Sequence, residues 1–182
     1  IAERQSSRQR ASRNGILSAC VGFGGMMDMG GRDDDFRGSP GPELLLSYTK
    51  QNGNSGLRYM LLVSPRTVTD LGIGLAPELI LETGTSELFV AGGLLLRYGW
   101  PAPTDIGEEA NYGPEHAYYY AHLFLDTGVR FYTHSRHSQL PKYFFTGMLI
   151  SPINARLEDS GTFVPGMPAF YGSFYLGYGV RL

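Results

Sequence analysis

The stretch Pro168–Leu182, PAFYGSFYLGYGVRL, decides how this chain is to be read. Its even positions are Phe170, Gly172, Phe174, Leu176, Tyr178, Val180 and Leu182; the odd ones include Ser173, Tyr175, Gly177, Gly179 and Arg181. A period of two places one set on each face of an extended strand, so one face is apolar and the other small or polar. The same alternation recurs upstream. In 70–83, Leu71, Ile73, Leu75, Leu79 and Leu81 oppose Gly72, Gly74, Ala76, Glu78 and Glu82. In 117–134, Tyr119, Ala121, Leu123, Leu125, Val129 and Phe131 oppose His122, Asp126, Arg130 and His134.

Alternation alone also fits a half-exposed soluble sheet. Length and the chemistry of the second face discriminate. The pattern predicts strands at 16–29, 43–51, 57–64, 70–83, 87–99, 117–134, 143–157 and 168–182, mostly longer than the ~5–6 residues of ordinary strands and matching the ~9–11 that cross a bilayer at a tilt. The second face mixes both signs of charge with glycine. That suits a membrane barrel, with hydrocarbon outside and a polar interior, and not a soluble one. A charge facing lipid at mid-depth costs ~2–4 kcal/mol, so Arg58, Arg97, Asp126 and Arg130 are expected to point inward. The fold expected is therefore all-β: an antiparallel transmembrane β-barrel of about eight strands over 15–182. Closure requires the first strand to pair with the last, because an open edge in lipid would leave a row of backbone groups unpaired. A soluble ligand-binding barrel is the competing reading.

Composition agrees. Of 182 residues, 25 are Gly, 13% are aromatic and 18% charged, with a net charge of -2. This excludes a disordered polyelectrolyte and offers no basic excess for nucleic acid. Cys20 is alone, so no disulfide forms within the chain. Residues 1–14 form a polar arm with Arg4, Arg8, Arg10 and Arg13. It is read either as a solvated tail or as an arm contacting phosphates or a partner. The connections near 30–42, 100–116 and 158–167 are long, and those at 52–56 and 84–86 short. This places long loops at one rim and both termini at the opposite, periplasmic one. An eight-strand ring is filled by its own side chains, so no open pore is expected.

Three segments carry a resemblance: PELLLSYTK at 42–50, APELILETGT at 76–85, and AGGLLLRYGWPAPTDIG at 91–107, where Arg97, Gly99, Trp100, Pro103 and Gly107 are the most specific. Together they resemble the lipid A 3′-O-deacylase family of outer-membrane barrels. The resemblance implies a bacterial outer membrane, a barrel of about twelve strands, and a calcium-dependent hydrolase that removes an acyl chain from lipid A. The family carries an Asn-Asp pair, a hydroxyl residue, a Lys and a His in its early strands. Here Asp28 stands where that Asp would, Met27 replaces the Asn, and the His has no counterpart. The ending Phe174, Leu176, Tyr178, Val180, Leu182 is similar to the C-terminal strand signal of such barrels, with Leu182 in place of the usual Phe.

Ester hydrolysis needs a base and donors for the oxyanion. The candidates are Asp28 at the end of the first strand and His122 near the start of the sixth. Asp33, Asp34 and Asp35 are the candidate calcium ligands, although their spacing is not that of an EF-hand. Otherwise no cofactor is expected. Glu108, Glu109, Glu115 and His116 lie in the fifth connection; the pair His134 and His137 lies by the sixth, at the far rim. His122 and His134 are ~40 Å apart at ~3.3 Å per residue, which rules out a single catalytic cluster. An interior polar network of Glu78, Glu82, Arg97, Asp126 and Arg130 is expected instead. Tyr48, Tyr59, Tyr98, Tyr118, Tyr119, Tyr120 and Tyr178 fit interfacial girdles. The partners expected are outer-membrane lipid, lipopolysaccharide and other envelope proteins. A structural or accessory role stands first and lipid A deacylation second.

Overall fold

The computed structural model describes residues 15–28, 41–65, 68–83, 86–101, 118–133, 142–157, 163–165 and 169–182. They form nine strands: β1 (Gly15–Asp28), β2 (Gly41–Asn52), β3 (Ser55–Pro65), β4 (Val68–Thr83), β5 (Ser86–Pro101), β6 (Tyr118–Thr133), β7 (Lys142–Leu157), β8 (Phe163–Pro165) and β9 (Ala169–Arg181). Eight of them make one antiparallel ring. Sequence neighbours pair from β1 to β7, β9 bridges β7 and β1, and β6–β7 pairing completes the circle. The expected first-to-last pairing is present over Ile16–Asp28 and Ala169–Arg181, so no long strand has an open edge.

The register fixes the tilt. From Leu81 the paired residues are Leu88, Val129, Thr146, Leu176, Val21, Leu44 and Val63, and the circuit returns to β4 at Leu71, ten residues from its start. A stagger of ten over eight strands, with ~3.3 Å per residue and ~4.8 Å between strands, corresponds to a tilt of about 40°. Strands of 11–16 residues at that tilt span the ~25 Å apolar band of an outer-membrane barrel.

Every member of that circuit except Thr146 is aliphatic, and all lie on the outer wall. Ile73 is 59% exposed, Leu79 67% and Phe174 69%, whereas Asp126 is 0% and Arg130 3% exposed. This inversion is the opposite of a soluble barrel's dry centre. Glycine makes the interior fit: a Cβ on Gly128 would stand 2.7 Å from the Phe89 ring, and one on Gly74 would stand 2.9 Å from Met60 Cε. The β2–β3 turn uses Gly53 at φ 60°, a conformation costly for residues with a Cβ.

Three expectations are corrected. The ring has eight strands, not the twelve that the deacylase resemblance implies. Part of the seventh connection is the short strand β8, paired with Ala155–Leu157, which prolongs the ladder beyond the wall. Tyr120 is not on the outer surface: Tyr119 is exposed, so alternation turns Tyr120 inward, where its ring lies 5.9 Å from that of His122. The arm 1–14, Asp33, Asp34, Asp35, Glu108, Glu109, Glu115, His116, His134 and His137 lie outside the described residues.

Candidate functional site: the polar lumen

Inward residues alternate along each strand, and reading them from the turn rim toward the loop rim gives one order. On β2 it is Gln51, Thr49, Ser47, Leu45, Glu43; on β3, Arg58, Met60, Leu62, Ser64. On β5 it is Glu87, Phe89, Ala91, Leu95, Arg97; on β6, Arg130, Asp126, Phe124, His122; on β7, Tyr143, Phe145, Leu149, Ser151. Polar groups occupy both ends, and Leu45, Leu62, Leu95, Phe124 and Leu149 form an apolar layer between them.

The turn-side group is an ion lattice. Arg58 reaches Glu78 at 2.5 Å and also pairs with Asp126. Arg130 reaches Glu78 at 2.5 Å and Glu87 at 3.5 Å, and Arg181 reaches Glu87 at 2.7 Å. Arg181 also donates to Gln51 Oε1 at 2.8 Å, Tyr175 to Asp126, and Tyr132 to Glu87. The guanidinium carbons of Arg58 and Arg130 lie 4.3 and 4.5 Å from the Phe89 ring centroid. Three arginines thus meet three carboxylates. Buried charge of this kind is tolerated only when paired and hydrogen-bonded.

The loop-side group is smaller. Glu43 accepts from Tyr171 at 2.7 Å and from Ser64 at 3.1 Å, and Arg97 lies 4.4 Å over the Tyr171 ring. Ser151 Oγ lies 3.3 Å from His122 Nδ1 and donates toward the carbonyl oxygens of Leu123 (2.9 Å) and Ile153 (3.1 Å). The tautomer of His122 sets which atom donates in the Ser151–His122 contact. Both side chains are fully buried, away from any lipid ester outside the wall.

The two catalytic candidates stand on different strands, and the Asp28 side chain lies outside the described residues. Asp28 ends β1 opposite Ala169, whereas His122 lies on β6, with β9 and β7 between them in the ring. Of the expected network, Glu78, Asp126 and Arg130 sit in the turn-side lattice and Arg97 in the loop-side group. Glu82 belongs to neither. It faces Glu87 across the β4–β5 ladder but is exposed at the rim, while Glu87 is enclosed by Arg130, Arg181 and Tyr132. The two carboxylates are level in the ladder, and it is the side chains gathered around Glu87 that enclose it. Glu87 and Arg181 were not singled out by sequence reasoning, nor were Glu43 and Tyr171. Their inward positions in the alternation were the available signal. Among the described residues no cluster of three or more His, Cys, Asp or Glu is placed to hold a metal ion.

No family model matches the chain, and no curated protein matches it in sequence. Solved structures do match in shape. Neisserial surface protein A (NspA) superposes with a TM-score of 0.62 at 12% identity, covering 92% of this chain and 97% of that one. Ail, the attachment invasion locus protein of Yersinia pestis, solved with the heparin analogue sucrose octasulfate, gives 0.51 at 11% identity, covering 93% and 99%. At such identities the likeness is one of fold, and that fold is the closed eight-stranded antiparallel barrel of outer-membrane proteins.

Proposed function

We propose that this chain is an integral protein of a bacterial outer membrane, with a structural or accessory role in an envelope complex and without hydrolase chemistry. The observation that carries the reading is the inverted barrel: aliphatic side chains cover the outer wall while paired arginines and carboxylates fill the lumen. The termini face the periplasm in this reading. The connections 29–40, 102–117 and 158–168 leave the rim opposite the termini, and outer-membrane barrels put their longer loops outside. Those loops are the surface offered to lipopolysaccharide and to other envelope proteins. The plugged lumen and the full burial of the Ser151–His122 pair support a non-catalytic role.

Fractionation of a Gram-negative host expressing the chain tests the location. Extraction only with detergent, and migration on gels that changes with heating, are expected; solubility without detergent would overturn the reading. Mass spectrometry of lipid A from the same cells tests the chemistry. An unchanged acyl pattern is expected. A calcium-dependent loss of one acyl chain would replace the accessory role with the deacylase implied by the resemblance of segments 42–107.

A further inference from the structure

The outer wall at the turn rim is chemically lopsided. On the β7–β9–β1–β2–β3 side it carries Lys142 and Lys50 beside Tyr178, Tyr48 and Tyr59. On β4, β5 and β6 the corresponding outward positions are Thr83, Ser86 and Thr133, with Leu81, Leu88 and Phe131 above them. Lys50 is exposed and lies opposite Gly15 in the β1–β2 ladder. The Tyr48 ring is laid over Gly15, so that a Cβ there would stand 2.9 Å from its Cε2 and from its hydroxyl oxygen. The Tyr48 hydroxyl is thereby brought down to the level of the Lys50 backbone, and Tyr59 stacks behind it at 6.3 Å. Lys142 Nζ lies 6.0 Å from the Tyr178 ring centroid. Among the described residues neither lysine enters an ion pair. Between the two stand Leu17 and Leu182, both exposed.

We propose that this face collects anionic phospholipid headgroups of the leaflet at the turn rim, with the Lys50 and Lys142 ammonium groups on phosphates, the Tyr48 hydroxyl donating to the phosphate at Lys50, and the acyl chains lying on Leu17, Leu46 and Leu176. The proposal rests on the membrane reading above. An ammonium on a long apolar stem beside interfacial tyrosines places its charge at headgroup depth while its methylenes remain on hydrocarbon. A lysine near an anionic surface favours that lipid by roughly fivefold. Among the described residues the outward positions of the hydroxyl-lined side carry no cation for a phosphate, so the lipid shell is asymmetric.

The test is made on the full chain in bilayers of phosphatidylcholine with a minority of phosphatidylglycerol. Spin-labelled lipids of both classes report which one the barrel retains at its surface, and heat-modifiable migration reports insertion. Wild type is expected to retain the glycerol lipid severalfold over the choline lipid. Lys50→Gln/Lys142→Gln is expected to insert equally and lose most of that preference, and Tyr48→Phe part of it. A preference unchanged in the double variant would assign the effect to charges elsewhere, such as the arginine-rich arm, and overturn the inference. So would the absence of any preference in an inserted wild-type barrel, or self-association that disappears in the double variant without a lipid effect. Failure to insert at all would instead bring down the membrane reading itself.

Discussion

The two polar halves of the lumen solve the same problem with different means. The turn-side half holds three arginines and three carboxylates, and its charges are shared: Glu78 serves Arg58 and Arg130, and Glu87 serves Arg130 and Arg181. The loop-side half includes two hydroxyl donors to Glu43, the Arg97 guanidinium over an aromatic ring and a histidine–serine contact. Removing one member of a shared ion lattice leaves a buried charge without its partner, whereas removing a neutral donor forfeits one hydrogen bond. The turn-side half should therefore be the brittle one, and the loop-side half should tolerate change.

Arg58→Ala offers the strongest challenge to that contrast. It leaves Asp126 and one side of Glu78 unpaired, and a loss of about 3–5 kcal/mol is expected in urea unfolding from lipid vesicles. A loss below ~1 kcal/mol would mean that water replaces the guanidinium freely. The apolar layer comes next. Leu95→Ala or Leu62→Ala should each cost ~2–4 kcal/mol, and the pair together should let ions leak across planar bilayers that the wild type seals. If the single variants are neutral, the layer does not separate the halves. On the loop side, Tyr171→Phe removes one donor from Glu43 and should cost ~1–2 kcal/mol; a loss as large as that of Arg58→Ala would abolish the distinction. The smallest effect is expected for Gly53→Ala at the β2–β3 turn, about 1 kcal/mol from the left-handed backbone alone, with both lumen clusters intact.

The barrel was largely legible because a period of two needs no tertiary information. Leu71, Ile73, Phe174 and Leu176 announce one face, and the charges at Arg58, Asp126 and Arg130 exclude lipid from the other. The lumen was legible only as an inward set. Glu82 and Glu87 have the same side-chain chemistry and point to the same face, and only the Arg130, Arg181 and Tyr132 side chains brought together by closure enclose one and leave the other solvated. Tyr119 and Tyr120 are adjacent and identical, and their phase in the strand separates membrane girdle from lumen mouth. The deacylase resemblance pointed toward Asp28 alone, at the loop-rim end of β1, and its side chain lies outside the described residues.

Alternating chemistry along each strand therefore settles by itself which residues see hydrocarbon and which do not, since extended backbone sends successive side chains to opposite faces. Which inward residues meet is decided by closure. Arg181 reaches Gln51 and Glu87 from the other end of the chain, and Arg58 finds Asp126 across 68 positions of sequence. Those encounters exist only because eight strands close with a stagger of ten residues. The stagger sets the height of each side chain in the lumen, and no single strand encodes it.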